Sequence, residues 1–298
     1  MIYERGETRR TVSPEAEEIL GKEFPVLDHG FVRLVDYMGN DGAIVQAART
    51  SVGAGVTDEK RDRGLIRYLW RHEHTSPFEM VEMKWHCKMP IFVAREWIRR
   101  RTANVNELSM RYSEPIGEYY IPSPEEFRFQ GVTNIPGSSE EEVPEDVARR
   151  AIEWIKSSVS AGEAANKGMR KDKIARELAR MALPINAYTE WYWKNDLKNT
   201  LHFLKLRMAP NAQKEIRVYA NAMAEIVKKV VPVTWEAFED YTLNARKFSR
   251  QELEALKTIM GRSVIIPQDD IEKVAQETFP DKFERREFLE KFVLMNGE

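Results

Sequence analysis

The stretch VEMKWHCKMPIFVAREWIRRRTANVNELSMRY, residues 81–112, carries the clearest structural pattern of the chain. From Val81 to Met89, apolar residues alternate with charged or polar ones, which is the period of a half-buried β-strand. Pro90 suits the first position of a helix, and the apolar spacing after it continues as a helix until about Thr102. The stretch therefore predicts a strand, then a helix, then a loop that carries polar side chains.

Five arginines fall within residues 95–112 of this stretch. On a helical wheel, Arg95 and Arg99 lie together on a flank, whereas Arg101 falls among the apolar residues. A charge in such a dry position is costly unless an anionic group meets it. The predicted loop offers amides, acceptors and a hydroxyl, the mixture that recognises a nucleotide. The alternative is a solvated basic face with one internal salt bridge, for example to Glu107.

The composition limits the classes of function. The 298 residues are 42% hydrophobic and 32% charged, so the chain can bury a substantial core. A formal net charge of −2 excludes the general basic field of a nonspecific nucleic-acid binder. The single cysteine, Cys87, excludes an intrachain disulfide and a CxxC pair. No apolar run approaches the length of a membrane span, and we predict a cytoplasmic protein.

The order of the patterns indicates the fold class. Strand and helix signals are interspersed without a βαβ rhythm, which predicts an α+β fold with a mixed sheet and long helices. No GxGxxG follows a strand, so we expect no Rossmann domain. We divide the chain into an N-terminal arm outside the core (1–25), a main domain (26–242) and a charged helical extension (243–298).

Local signals predict further elements. In the first half of the chain they predict a short helix after Ser13, a strand in 26–38 with a turn at Gly39 to Gly42, a helix in 42–52, and a helix capped by Thr57 and ending near His72. An exposed loop is predicted at 128–145, followed by helices over 145–160 and 172–182, a strand in 183–195 and a helix over 196–208. The last two predicted elements are a long amphipathic helix capped by Asn211 and a helix with a Ser249/Glu252 capping box closed by Gly261.

The arginines also belong to a longer motif. Three arginines at 99–101, seven residues and then Ser109 resemble the Arg-His-Arg-x7-Ser signature of the flavin-dependent thymidylate synthases, and NELSMRYS continues the match to residue 113. Other stretches along the chain, such as HTSPFE, ARMALPINAYT and HFLKLRMAPNAQKEI, occur in family order. The resemblance extends from about residue 26 to residue 241 and leaves both ends of the chain outside it.

The resemblance implies a homotetrameric enzyme that methylates dUMP to dTMP. Methylenetetrahydrofolate would donate the carbon, and FAD reduced by NADPH would donate the hydride. The implied FAD contacts are Arg99, Arg100, Arg101 and Glu107, with Ser76 from a neighbouring subunit, His74 nearby and, at variable family positions, Asp196, Lys198 and His202. The implied dUMP contacts are Glu96, Arg99, Glu107, Leu108, Ser109, Met110, Arg111, Arg180 and Arg207.

Two residues have implied catalytic roles. Arg207 is assigned to the N3/O4 edge of uracil, where a guanidinium favours the N3-deprotonated ring and pushes electron density onto C5. Ser109 is expected to form hydrogen bonds to the substrate, because no histidine in the motif provides the base that a serine nucleophile needs. Cys87 is expected in the core, where a thiolate is disfavoured, so the reaction needs no covalent link to the enzyme.

The chain departs from the signature at two positions. Arg100 stands where the motif has histidine, and Glu96 stands where glutamine is usual. Because these positions are four apart on a predicted helix, we hypothesise a Glu96–Arg100 ion pair through which the two changes offset each other.

Other interpretations remain open. A relative that hydroxymethylates dUMP at C5 would use the same sites, whereas a nucleic-acid-binding module would use the arginines and the aromatic residues of EWYW. An inactive homologue would keep the fold without flavin and use its C-terminal helices to bind a partner. Arg180 and Arg207 are alternatively cations near helix C-termini or salt-bridge partners. His72 and His74 form an HxH pair, but the sequence offers no third ligand and we predict no metal site.

Overall fold

The computed structural model describes residues 10–50, 59–131, 138–261 and 268–296. These residues form two compact units. The first unit takes residues up to 50 and residues 75–235, and the second takes residues 59–74 and those after 235. The predicted N-cap Thr57 lies outside the described residues.

Strands and helices are interspersed along the chain without a βαβ rhythm, which confirms the α+β class. The strands are β1 (Phe24–Val26), β2 (Gly30–Met38), β3 (Glu82–Pro90), β4 (Asn104–Glu107), β5 (Arg128–Gln130), β6 (Ser138–Glu142) and β7 (Tyr188–Asp196). The helices are α1 (Pro14–Ile19), α2 (Asp41–Thr50), α3 (Glu59–Arg71), α4 (Ile91–Trp97), α5 (Glu145–Lys171), α6 (Arg176–Ala179), α7 (Leu197–Arg207), α8 (Lys214–Val230), α9 (Pro232–Phe238), α10 (Arg250–Gly261), α11 (Gln268–Thr278) and α12 (Lys282–Asn296).

A five-stranded sheet in the order β1-β2-β3-β7-β4 forms the centre of the first unit. Every neighbouring pair of these described strands is antiparallel, so the expected mixture of parallel and antiparallel pairs is not found. The strand predicted from VEMKWHCKM is confirmed as β3. Its alternation buries one face completely, and Trp85 lies opposite Trp193 of β7 in the register.

Helices α4, α7 and α8 cover this apolar face of the sheet. The Trp97 ring of α4 lies 5.5 Å from Trp191 and 5.6 Å from Trp193, and stacks on Phe203 of α7 at 4.8 Å. Tyr219 of α8 completes the contact at 6.0 Å. Burial of each such side chain contributes about 1.5–3 kcal/mol, so this aromatic cluster fixes where the end of α4 meets α7.

The chain after β3 differs from the prediction in three ways. Pro90 is the residue before α4, with an extended backbone, and not its first helical residue. Helix α4 ends at Trp97, well before Thr102, so Arg101 lies outside the helix and is exposed instead of pointing into the apolar face. Residues 104–107 form an edge strand on β7 instead of a loop, because β7 offers its backbone groups on that side.

Other helix and strand boundaries also differ from the prediction. The predicted 128–145 loop contains a two-stranded sheet of β5 and β6. Helix α5 runs to Lys171 instead of about 160, and the next helix is the short α6 followed by a 3₁₀ turn at Arg180–Ala182. Helix α7 matches its prediction, and the predicted strand is present as β7 but begins at Tyr188 instead of residue 183. Helix α8 is amphipathic as predicted, but its N-cap is Gln213 and not Asn211.

The segment after residue 12 packs against the core instead of standing outside it. The Ser13 hydroxyl donates to the Val230 carbonyl at the end of α8 over 2.6 Å. Ala16 of α1 is completely buried. The polar composition of this segment predicts an exposed arm. Composition does not reveal that one apolar residue per turn is enough to pack a short helix against the core.

The second unit is helical in its described part and contains α3, the end of α9, a π-helical turn at Glu239–Leu243, α10, α11 and α12. The capping box of α10 is confirmed, since Ser249 N donates to the Glu252 carboxylate at 2.7 Å and Glu252 N donates to the Ser249 hydroxyl at 3.3 Å. Within the described residues, no helix is both long and apolar enough to cross a membrane.

Candidate active site

Helix α7 carries Arg207 to the end of α4. The side chain of Asp196 caps the start of α7 by accepting from the Asn199 amide at 2.8 Å. Buried Leu201 and Leu204 hold the helix on the sheet, and Arg207 lies in its last turn, where a cation is favoured. The sequence therefore places this guanidinium next to the C-terminal turn of α4.

There Arg207 pairs with Glu96. Its Nη1 forms a salt bridge with the Glu96 carboxylate, and its Nη2 donates to the Glu96 carbonyl oxygen at 3.2 Å. The two side chains are 17% and 25% exposed, so this is a largely desolvated pair. The hypothesis of a Glu96–Arg100 ion pair is wrong, because the carboxylate is engaged by a residue from another helix.

Arg100 is instead left among cations. Its Nε is buried and finds no hydrogen-bond partner among the described residues. Burial, together with the positive charge of Arg207, lowers the pKa of Arg100 below its ordinary value. Partial burial also lowers the pKa of His202, with smaller effects from Arg100, Lys198 and Lys205. The structure therefore brings together four basic residues: Arg100, Lys198, His202 and Arg207. Among the described residues, Glu96 is the acid in direct contact with this group, through Arg207.

Glu107 lies on β4, exposed at the edge of the sheet. Its Oε1 accepts a hydrogen bond of 2.8 Å from the hydroxyl of Thr189, a buried residue of β7. Thr189 was not among the predicted site residues. The sequence gives only a weak signal for a role of Thr189, because its contact with Glu107 depends on the pairing of β4 with β7.

The segment after β4 is folded back on itself around Ser109. Leu108 N donates to the Glu190 carbonyl at 2.8 Å, which anchors the segment to β7. The Ser109 hydroxyl accepts from both Arg111 N and Arg111 Nε at 3.4 Å. Its carbonyl accepts from the amides of Tyr112 and Ser113, each at 3.0 Å. In the described part of the chain no histidine contacts Ser109, so no base is placed to activate it.

The remaining predicted residues lie on the surface. Arg99, Arg101 and Arg180 are exposed, and Met110 is half-buried. Ser76 is exposed at the start of a 3₁₀ turn, Ser76–Met80. His74, which belongs to the second unit, is exposed, with its ring 5.9 Å from that of Tyr68. No described contact joins Ser76 or Arg180 to the Glu96–Arg207 pair.

A basic cluster beside the Ser109 segment was missed in the sequence. Arg176 Nη1 donates to the Tyr112 carbonyl at 2.5 Å, and Arg170 pairs with Glu114. An open cavity of about 430 Å³ lies among Lys167, Arg170, Lys171, Ile174 and Arg176. The run KGMRKDK at 167–173 was the available signal, but on a helix such a run is usually a solvated face.

Comparison with known proteins identifies the family. The family model described as thymidylate synthase complementing protein matches residues 33–233. A flavin-dependent thymidylate synthase of Rickettsia bellii is 47% identical over 283 residues, which cover 91% of this chain and 93% of the relative. That of Ruegeria pomeroyi is 49% identical over 267 residues, 87% of this chain and 86% of the relative. The chain belongs to the flavin-dependent thymidylate synthases.

A solved structure supports this assignment. The UMP/dUMP methylase PolB from Streptomyces cacaoi, bound with 5-Br dUMP, superposes with a TM-score of 0.67 at 31% identity. The superposition covers 74% of this chain and 99% of PolB. The similarity therefore includes nearly the whole of that enzyme, whereas this chain has additional residues.

The residues of this flavin-dependent thymidylate synthase fit a flavin cofactor. A flavin dinucleotide carries a pyrophosphate, which is met by guanidinium forks in a protein without a Gly-rich cradle. Arg100 offers a buried Nε–H without a partner in the described residues, and burial, with a smaller effect from the nearby Arg207, lowers its pKa. Exposed Arg99 and Arg101 flank it in sequence. An anionic ligand would satisfy the donor and offset the repulsion between cations.

Proposed function

We propose that the protein catalyses the reductive methylation of dUMP to dTMP, with methylenetetrahydrofolate as carbon donor and FAD reduced by NADPH as hydride donor. Family membership supports this reaction, as does the likeness to a dUMP methylase. The observation that carries the proposal is the guanidinium of Arg207, held by Glu96 in a largely desolvated position at the meeting of α4 and α7.

This arrangement leaves Arg207 able to bind a second partner. A guanidinium has five N–H donors, and Glu96 engages one at each η nitrogen. One further N–H therefore remains on each η nitrogen, and the buried Nε–H has no partner among the described residues. These remaining donors of Arg207 are proposed to meet the O4 and the deprotonated N3 of uracil. Charge at that edge favours the N3 anion and makes C5 more nucleophilic.

Other residues of the chain would position the two ligands. We propose that Ser109 and Arg111, which contact each other in the folded segment, bind dUMP together with Leu108, Met110, Arg180, Glu96, Arg99 and Glu107. For the flavin we propose Arg99, Arg100, Arg101 and Glu107, with Ser76, His74, Asp196, Lys198 and His202. When bound, the flavin supplies the hydride that completes the methyl group.

The only cysteine is unsuited to be a nucleophile. Cys87 is completely buried on β3, and burial raises the pKa of its thiol far above its ordinary value. The hydroxyl of Ser109 has no base among its contacts in the described residues. Both observations favour a route without a covalent bond between the enzyme and the pyrimidine.

We also propose how the chain is organised. Residues 26–242 form the catalytic domain of a homotetramer in the cytoplasm, and residues 243–298 are an extension that is helical in its described part. The extension shares a compact unit with α3. These statements rest on the resemblance and on the composition.

The test combines spectroscopy with product analysis. The purified protein, loaded with FAD, is reduced by NADPH without oxygen and then given dUMP and methylenetetrahydrofolate. We expect the flavin absorption to bleach and to return as dTMP forms, and we expect Arg207→Ala to bind FAD but lower kcat/KM for dUMP by about 100-fold or more. Formation of 5-hydroxymethyl-dUMP would favour the hydroxymethylating alternative. A protein that binds no FAD and binds nucleic acid with steep salt dependence would contradict the proposal.

A further inference from the structure

The C-terminal helix α12 holds the end of α3 through a desolvated charge network. Arg71, the last residue of α3, forms a bidentate salt bridge with Glu287, with Nε–Oε2 at 2.7 Å and Nη2–Oε1 at 2.9 Å. Glu284 approaches Arg71 Nη1 at 3.3 Å. His72 Nε2 lies 3.0 Å from Glu287 Oε1. Two acids of α12 therefore meet the final turn of α3.

One turn earlier, Arg67 repeats the arrangement. It meets Glu284 with Nε–Oε1 at 2.6 Å and Nη2–Oε2 at 3.3 Å. The Tyr241 hydroxyl accepts from Arg67 at 3.0 Å and from Arg71 at 3.2 Å. The Tyr241 ring also lies against both guanidinium groups, at 5.1 Å and 5.3 Å. The guanidinium groups of both arginines thus find their hydrogen-bond acceptors on Tyr241, Glu284 and Glu287, in the C-terminal part of the chain.

The burial of these charges makes the network obligatory for α3. The side chains of Arg71 and Glu284 are each 8% exposed, and that of Glu287 is 15% exposed. Charges removed from water to this degree are tolerated only when they are paired, and loss of one partner leaves the other uncompensated. The last turn of α3 therefore depends on α12 for its position.

His74 lies in the segment that directly follows this last turn. The His74 amide donates to the Leu69 carbonyl of α3 at 2.9 Å, and the His72 amide donates to the Tyr68 carbonyl at 3.0 Å. Between them Glu73 adopts a left-handed backbone conformation, with φ at 58°, which is unfavourable for a residue other than glycine. The backbone around His74 thus follows directly from the position of the helix end.

We propose that Glu287 is a positioning residue for flavin binding: through Arg71 and His72 it fixes the end of α3, and thereby orients His74. The proposal rests on the proposed function, because that function is what makes His74 a flavin contact. It gives residues 243–298, which lie outside the family model's match at residues 33–233, a role in cofactor binding.

The test compares Glu287→Gln with Glu290→Gln as matched control. Glu290 lies on the same helix, but its pair with Arg286 is exposed and has a length of 3.5 Å. In FAD titrations of the apoprotein, we expect Glu287→Gln to raise the Kd about 5-fold or more and Glu290→Gln to change it less than twofold. Hydrogen exchange of the apoprotein should be faster at residues 69–74 in Glu287→Gln only.

A double-mutant cycle separates positioning from general stability. His74→Ala removes the group through which Glu287 is proposed to act, so the effects of His74→Ala and Glu287→Gln on the FAD Kd should not add. Additive effects, or an unchanged Kd in Glu287→Gln, would overturn the inference. If Glu287→Gln does not fold, Glu287→Asp takes its place with the same expectations. Failure of the wild-type protein to bind FAD would instead contradict the proposed function.

Discussion

At the scale of single residues, the pairing of Glu96 sets the properties of the proposed uracil site. A glutamine would offer Arg207 an amide oxygen, whereas the glutamate offers a full negative charge. The carboxylate orients the guanidinium firmly but also neutralises part of the charge that would act on the pyrimidine. Arg100, which stands where the signature has histidine, remains without this counter-charge and is available to an anionic ligand.

Glu96→Gln and Glu96→Ala should therefore behave differently. The amide keeps an acceptor for Arg207 and removes the neutralising charge, so kcat/KM for dUMP should be retained or rise several-fold. The alanine leaves Arg207 without its charge-assisted hydrogen bond, worth about 1.5–3 kcal/mol, so kcat/KM should fall about 10-fold or more. Steady-state kinetics of both variants provide the measurement. Equal losses in the two would show that orientation of Arg207 is not the role of Glu96.

Thr189 offers a second test at this scale. Thr189→Val keeps the shape of a buried side chain and removes the donor to Glu107. We expect the KM for dUMP and the Kd for FAD to rise about 3- to 10-fold, in line with one hydrogen bond of about 0.5–1.5 kcal/mol. Thr234→Val is the control, since Thr234 is also buried but donates to Asp41 at 2.6 Å. A similar loss of binding in both variants would count against a specific role for Thr189.

At the scale of elements, α5 holds the turn that carries Arg180. Asn166 Nδ2 donates to the Ala179 carbonyl at 2.9 Å in a buried contact. Gly162 packs so closely that a Cβ there would lie 2.6 Å from the Ala182 carbonyl and 3.0 Å from Pro184. The close approach of helix and turn therefore requires glycine at this position.

Two glycines of α5 give opposite expectations when changed to alanine. Gly162→Ala pushes the turn away, so we expect the melting temperature to fall by several degrees and the KM for dUMP to rise, because Arg180 shifts. At Gly168 an added Cβ meets nothing within 4 Å, so Gly168→Ala should stabilise the helix by up to about 1 kcal/mol. Thermal melts and dUMP kinetics check both. A stabilised Gly162→Ala would refute the packing argument.

At the scale of the whole molecule, buried charges in the second unit make stability depend on pH. The hydrogen bonds from Arg71 hold the pKa of Glu287 at about 2, below its ordinary value of 4.5, with a further contribution from His72. A carboxyl whose pKa is depressed by folding stabilises the native state above its unfolded pKa. This stabilisation is lost as the pH falls from about 4.5 towards 2.

The difference in the free energy of unfolding between wild type and Glu287→Gln should therefore become smaller in acid. We expect the variant to be less stable at pH 7 by about 1–3 kcal/mol, the range for a charge-assisted hydrogen bond in a partly exposed pair, and this gap should shrink below pH 4.5. Urea denaturation at several pH values measures it. A gap that is constant from pH 7 to pH 3 would mean that the charge of Glu287 is not the source of the stability.

Much of this protein was determined by local sequence. Strand β3, helix α7, the apolar face of α8 and the Ser249 capping box all follow from spacing within a few residues, and the structure confirms them. The arginine motif likewise identified the family before any contact was known. Such signals survive because the residues that make them are neighbours along the chain.

The tertiary structure decided which partners the charges have. Glu96 pairs with Arg207, 111 positions away, and not with Arg100 at the helical spacing of four. Arg71 pairs with Glu287 across 216 positions, and β4 exists because β7 offers it an edge. The physical reason is desolvation: a buried charge or an open strand edge takes whichever partner the packed core brings to it, and sequence distance has no influence on that choice.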